Sequence, residues 1–201
     1  MMRPDMGLFL AMTAGPTPNS WLLAIACFLA RNGPWLSAGL MGWAALRHPR
    51  QRPYLLALLA AAAVAAPVAH ALAQVLAFPR PFMLGVTPAY LPHGGSEGLP
   101  STHATVMSLV ALGLLARPGL RQVGMVAAGA ALATGWARIH VGVHFPLDVV
   151  GGFLLAALLL AAFLAALRHL RAARESALPA GAKPSRAAAA IAALHRQEPL
   201  S

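Results

Sequence analysis

Apolar residues along the chain gather into five long runs, at 20–46, 53–76, 102–116, 121–136 and 146–167. Short stretches rich in Arg, Pro, Gly and His separate them. A helix needs roughly 17–25 mostly apolar residues to cross a bilayer, so the runs predict an all-α fold. The expected architecture is a polytopic transmembrane helical bundle of about five spanning helices, with the 102–116 run short for a span. Arg31-Asn32-Gly33-Pro34 interrupts the first run. That run is either one long tilted helix or a surface helix over 21–30 leading into a short span. Pro53 suits the first turn of the second helix.

Residues 1–19 read as an N-terminal surface segment, 20–170 as one membrane domain, and 171–201 as a basic, mobile cytoplasmic tail. The 1–15 stretch carries Arg3 and Asp5 on a short, broken apolar run, which does not suit a cleavable signal peptide. Charged residues make up only 10% of the chain and hydrophobic ones 59%, against about 25% charged in soluble domains. The net charge of +10 would suit nucleic acid, but the Lys and Arg sit in short clusters between apolar runs, which excludes that partner. Arg47, Arg50 and Arg52, then Arg117 and Arg121, then Arg168, Arg171 and Arg174 all fall on one side of a five-span bundle. The positive-inside rule makes that side cytoplasmic. The loops at 77–101 and 137–145 then share the opposite face. The expected location is the cytoplasmic (inner) membrane, multi-pass, with that face toward the periplasm or exterior. A single cysteine, Cys27, excludes an intrachain disulfide and a cysteine metal cluster. No oligomeric state is implied.

Three polar clusters lie on that opposite face: Arg80-Pro81-Phe82, Pro100-Ser101-Thr102-His103, and Arg138 with His144 and Asp148. Charge is costly at membrane depth and marks function there. His144 and Asp148 are four residues apart, one helical turn, near a helix start marked by Pro146. Asp148 can bond one imidazole nitrogen and raise the nucleophilicity of the other. Ser101 or Thr102 is a natural N-cap, the helix start beyond it is an anion site, and His103 could protonate a leaving oxygen. Arg80 and Arg138 can grip phosphate oxygens bidentately. Each cluster alone also has a plainer reading: a His–Asp cap, an ordinary N-cap with an interfacial His, interfacial Arg anchors. Gathered on one face, they point to a site that binds and cleaves a phosphate ester.

These residues resemble the type-2 phosphatidic acid phosphatases, which share an active site with the vanadium haloperoxidases. Arg80-Pro81 matches the end of the family's first motif, Lys, six residues, Arg-Pro. Pro100-Ser101-Thr102-His103 resembles Pro-Ser-Gly-His, with Thr102 for Gly. Arg138, His144 and Asp148 meet the spacing of Ser-Arg, five residues, His, three residues, Asp, with Ala137 for Ser. The resemblance covers roughly 53–167. It implies that His144 is a nucleophile forming a phospho-histidine, that Asp148 orients it, and that His103 protonates the leaving group. It further implies that Arg80, Arg138, Ser101 and the backbone near Thr102 hold the phosphate, with no metal ion or other cofactor. The first motif's Lys falls at Ala73, one positive charge fewer. His70 or Gln74, on a similar helix face, is expected to replace it in part, or else both serve only as polar packing groups.

The implied partner is a membrane lipid phosphate or diphosphate entering laterally. Polyprenyl diphosphates such as undecaprenyl diphosphate, phosphatidic acid, phosphatidylglycerol phosphate and lipid A phosphates are the candidates. Two other classes compete. His103, His140, His144 and Asp148 could ligate zinc, although two Arg would repel the ion. A degenerate binder or transporter could keep the cage without its Lys. His93 and Glu97, in the long loop, read as solvated residues.

Overall fold

A computed structural model describes residues 3–92, 94–95 and 97–177. His93 and the tail beyond 177, where a mobile segment was expected, lie outside the described residues. The chain forms α1 (Met6–Met12), α2 (Ser20–Arg47), α3 (Arg52–Leu76), α4 (Thr102–Leu115), α5 (Arg121–His140) and α6 (Pro146–Ala177). Single 3₁₀ turns at Pro49–Gln51, Pro81–Leu84 and Pro118–Leu120 lie in the connections. The described residues divide into two compact units, parting between 162 and 163; the site described below belongs wholly to the first.

The five expected spans are the five long helices, α2 to α6. The interrupted first run is one continuous helix of 28 residues with Pro34 inside it. Asn32 donates its side-chain amide to Phe28 O at 2.9 Å rather than breaking the turn. The fourth helix runs to His140, four residues further than its apolar run. Arg138 therefore sits on the last turn of α5 and not in the loop. Burial of Ala137 and Ile139 carries the helix on, and partners for the guanidinium remove the penalty that would have ended it.

The packing is that of a membrane protein. Trp35, Leu56, Val75, Met125 and Leu158 face outward and are exposed, while buried positions include Arg, His and Asp. Soluble chains invert this pattern. By length and composition, Pro49–Leu84 and Pro146–Ala177 can each cross a bilayer. Helix α4 has 14 residues and rises about 21 Å, less than the hydrocarbon core. Irregular backbone must meet its start, which is tolerated at such depth where protein surrounds it; Pro81, Leu91, Gly98, Pro100 and Ser101 are buried.

Helices α4, α5 and α6 carry the interior. Val149 of α6 clusters with Ala104 and Ile139, and further along Ala156 meets Leu109 and Ala65. Gly152 sets how closely α6 approaches α4: a Cβ there would lie 2.7 Å from both Ala104 Cβ and Ser101 O. The N-terminal segment, expected at the surface, is anchored to the bundle by two buried side chains, Asp5 and Phe9, while Leu8 and Leu10 stay exposed. Phe9 is fully buried against Phe145, with ring centroids 4.9 Å apart, because α1 supplies the apolar face that the α5–α6 turn lacks. Gly152→Val is expected to cost about 1–3 kcal/mol by overpacking, read as a lowered unfolding midpoint in detergent. An unchanged midpoint would show that the close approach is not required.

Candidate active site

The site is built where α5 turns into α6. Val143 N and His144 N both donate to Arg138 O, at 3.1 and 3.2 Å, folding the turn back on the end of α5. Asp148 then occupies the first turn of α6, where the helix dipole favours a carboxylate. Its Oδ2 accepts from Phe145 N at 2.9 Å and lies 3.4 Å from His144 Nδ1. Its carbonyl accepts from Ser101 N at 2.9 Å, which fixes the start of α4 against the same turn.

Arg80 arrives from the other side. Helix α3 is capped by Ala77, which takes the left-handed conformation at φ 53°, and the chain turns to bring Arg80 inward. Its Nη1 donates to Val143 O at 2.9 Å and to His144 Nε2 at 3.0 Å. Arg138 Nη2 approaches the same Nε2 at 3.4 Å. Exposure is 6% for Arg80, 4% for Arg138, 1% for His144 and 0% for Asp148.

A guanidinium only donates, so Nε2 must be the accepting nitrogen of His144 and the proton must sit on Nδ1, directed at Asp148. Nε2 thus carries a lone pair pointing between two guanidinium groups. Two buried like charges repel, and a phosphoryl group is matched to both.

Pro34 contributes to this arrangement. Proline has no N–H, so the carbonyl four residues back loses its helical partner. That carbonyl is Ala30 O, and Arg138 Nη1 donates to it at 3.3 Å. The feature that made the first run look broken anchors a phosphate-binding candidate. Only the coincidence of a helix-interior proline with a buried arginine elsewhere could have signalled it.

Ser101 is fully buried and caps α4, its Oγ 3.5 Å from Ala104 N. Thr102 and His103 on the first turn are half-buried. His103 and Arg138 line one cavity of about 240 Å³ with Ala30, Arg31, Leu91 and Pro92. His70 and Gln74 are exposed and bond each other at 3.3 Å. It is Ala73 that faces inward, buried. Their placement does not support a role in place of the motif Lys. His140 bonds Met12 O at 2.7 Å and stacks on Trp136; among the described residues, no three His, Cys, Asp or Glu side chains are gathered as a metal ion would need. Sequence reasoning missed Arg3, whose Nη2 lies 2.8 Å from Asp148 Oδ1.

Fold and site together define a helical membrane protein built around a buried histidine–carboxylate pair facing two arginines. The PAP2 superfamily model matches residues 53–171, and the chain belongs to that superfamily, a membrane phosphatase of the PAP2 type. YbjG of Escherichia coli strain K12, whose assignment as an undecaprenyl-diphosphatase is itself provisional, is 29% identical over 154 residues, 75% of this chain and 76% of its own. The undecaprenyl-diphosphatase BcrC of Bacillus subtilis strain 168 is 35% identical over 78 residues, 39% of each chain. Among solved structures, Aquifex aeolicus LpxE shares the fold with a TM-score of 0.65 at 20% identity, covering 81% of this chain and 96% of its own. A transmembrane PAP2-type phosphatidylglycerolphosphate phosphatase from Bacillus subtilis gives 0.61 at 22% identity, covering 82% and 85%.

Pro34→Ala restores an N–H that can compete for Ala30 O, so Arg138 should lose an anchor. Vanadate or phosphate binding is expected to weaken about tenfold, on the scale of one charge-assisted hydrogen bond, while the protein stays folded. Calorimetric titration of both proteins checks this, and equal affinities would remove Pro34 from the account.

Proposed function

We propose that the protein hydrolyses a lipid phosphate or diphosphate through a phospho-histidine on His144, without a metal ion, at the extracytoplasmic face. The observation that carries this reading is the convergence of two buried guanidinium groups on His144 Nε2, at 3.0 and 3.4 Å. A phosphate held by both would present its phosphorus to that lone pair. Nε2 attacks phosphorus as the bond to the leaving oxygen breaks. His103, at the rim of the same cavity as Arg138, gives that oxygen a proton. Water then attacks the phospho-histidine, His103 takes its proton, and inorganic phosphate and free His144 are released. Asp148 holds the Nδ1 proton and stabilises the charge that grows on the ring. Arg80, Arg138 and the start of α4, with Ser101 and Thr102, stabilise the equatorial oxygens.

The relatives YbjG and BcrC support a polyprenyl diphosphate, of the undecaprenyl type, as the preferred substrate. The Arg clusters at 47–52, 117–121 and 168–174 support a cytoplasmic location for the other end of the bundle, which leaves the site facing outward in the cytoplasmic membrane. Ala73, buried where the family motif has Lys, favours a second reading: a lipid-phosphate binder whose chemistry is weakened.

Phosphate release by the purified protein in detergent with EDTA, from polyprenyl diphosphate, phosphatidic acid, phosphatidylglycerol phosphate and a lipid A phosphate, separates the readings. Wild type should release phosphate fastest from the diphosphate, and His144→Ala should be slower by about a thousandfold or more. Activity that vanishes with EDTA would contradict the metal-independent mechanism. Tight binding with no release from any lipid would establish the binder.

A further inference from the structure

We propose that Arg3 is a positioning residue of the active centre: it supplies the counter-charge that lets Asp148 stay ionised while His144 stays neutral. The inference rests on His144 acting as the nucleophile. An isolated buried carboxylate is costly unless it is paired. Asp148 is wholly buried, and its closest charged partner is Arg3 Nη2 at 2.8 Å, nearer than His144 Nδ1 at 3.4 Å. The two partners use different oxygens, Oδ1 for Arg3 and Oδ2 for His144. Arg3 therefore balances the charge without competing for the histidine. Were the counter-charge missing, Asp148 could be relieved in two ways. It could take up a proton and cease to accept from Nδ1, or it could hold His144 as an imidazolium, which has no lone pair on Nε2. Either outcome removes the nucleophile.

The surroundings hold Arg3 in place. Its guanidinium carbon lies 4.3 Å from the Phe145 ring centroid and 5.4 Å from that of Phe78. Its Nε is 3.3 Å from Asp5 Oδ1, and Asp5 Oδ2 accepts from Leu147 N at 2.8 Å, next to Asp148 itself. Further along the segment, Ala14 N donates to His140 O at 2.9 Å, His140 bonds Met12 O, and Tyr90 OH donates to Gly15 O. Residues 3–15 are thus laced to both ends of the turn that carries Arg138, His144 and Asp148. A segment only filling space would not need a buried ion pair there.

The test compares wild type, Arg3→Met and Arg3→Lys. Removing an outer partner that orients a reacting imidazole costs about 10–100-fold at metal centres, and the same scale is expected here for kcat in Arg3→Met, with KM within about twofold. Arg3→Lys, which keeps the charge, should recover most of the loss. Imidazole ¹⁵N NMR should find the His144 proton on Nδ1 in wild type and a changed Nδ1 resonance in Arg3→Met. Turnover of Arg3→Met within about twofold of wild type would overturn the proposal. So would a fall in kcat that tracks a lowered unfolding midpoint while the His144 resonances stay those of wild type, because that is a purely structural role. If wild type itself releases no phosphate, the functional reading fails, and the comparison of His144 resonances still decides the role of Arg3.

Discussion

Asp148 is the residue on which the rest of the site depends. It is wholly buried, and it is met from four directions: Arg3 on one oxygen, His144 and Phe145 N on the other, and Ser101 N on its backbone carbonyl. Together the contacts fix three parts of the protein. The first brings in the N-terminal segment, the second and third set the α5–α6 turn, and the last sets the start of α4. A buried charge of this kind stabilises little by itself. Its value lies in making one arrangement of three segments much better than any other, and that arrangement aims His144 Nε2 at Arg80 and Arg138.

Features that disfavour helix packing elsewhere are used here to place charge. Pro34 frees Ala30 O for Arg138. Gly152 lets α6 come close enough to α4 for Ser101 and Asp148 to meet. Ala77 accepts a left-handed conformation so that the chain can turn Arg80 inward. Each has a small local cost in conformational energy or entropy, and each lies one or two contacts from a residue proposed to hold or attack the phosphate. Burial adds to the constraint, because a misplaced guanidinium would be left inside the protein without partners.

Much of this was legible in the chain itself. Five long helices follow from five apolar runs, and Arg80, Ser101, Arg138, His144 and Asp148 are brought together as their motif spacing suggests. The signals that fell short were of three physical kinds. The interruption at 31–34 left one long helix and a surface helix with a short span both open, because local propensity cannot show that a distant arginine takes up the freed carbonyl. Arg138 looked like a loop residue, because a charge normally ends an apolar run unless tertiary partners satisfy it. Arg3 and Asp5 looked like surface charges, because 145 positions separate Arg3 from Asp148 and nothing local marks a pair so far apart. His70 and Gln74 illustrate the limit differently. One turn apart on the helix that carries Ala73, they read either as a replacement for the missing charge or as polar packing groups, and helix rotation leaves them exposed and turns Ala73 inward.

The central claim is that His144 Nε2 forms a covalent bond to phosphorus. Rapid acid-free quenching during turnover of a polyprenyl diphosphate, followed by peptide mass spectrometry, tests it most directly. The account predicts a phosphoryl group on His144, present in wild type and absent when Asp148 is replaced by Asn. Turnover at full rate with no phosphorylated residue, or with the phosphoryl group on His103 instead, would contradict it.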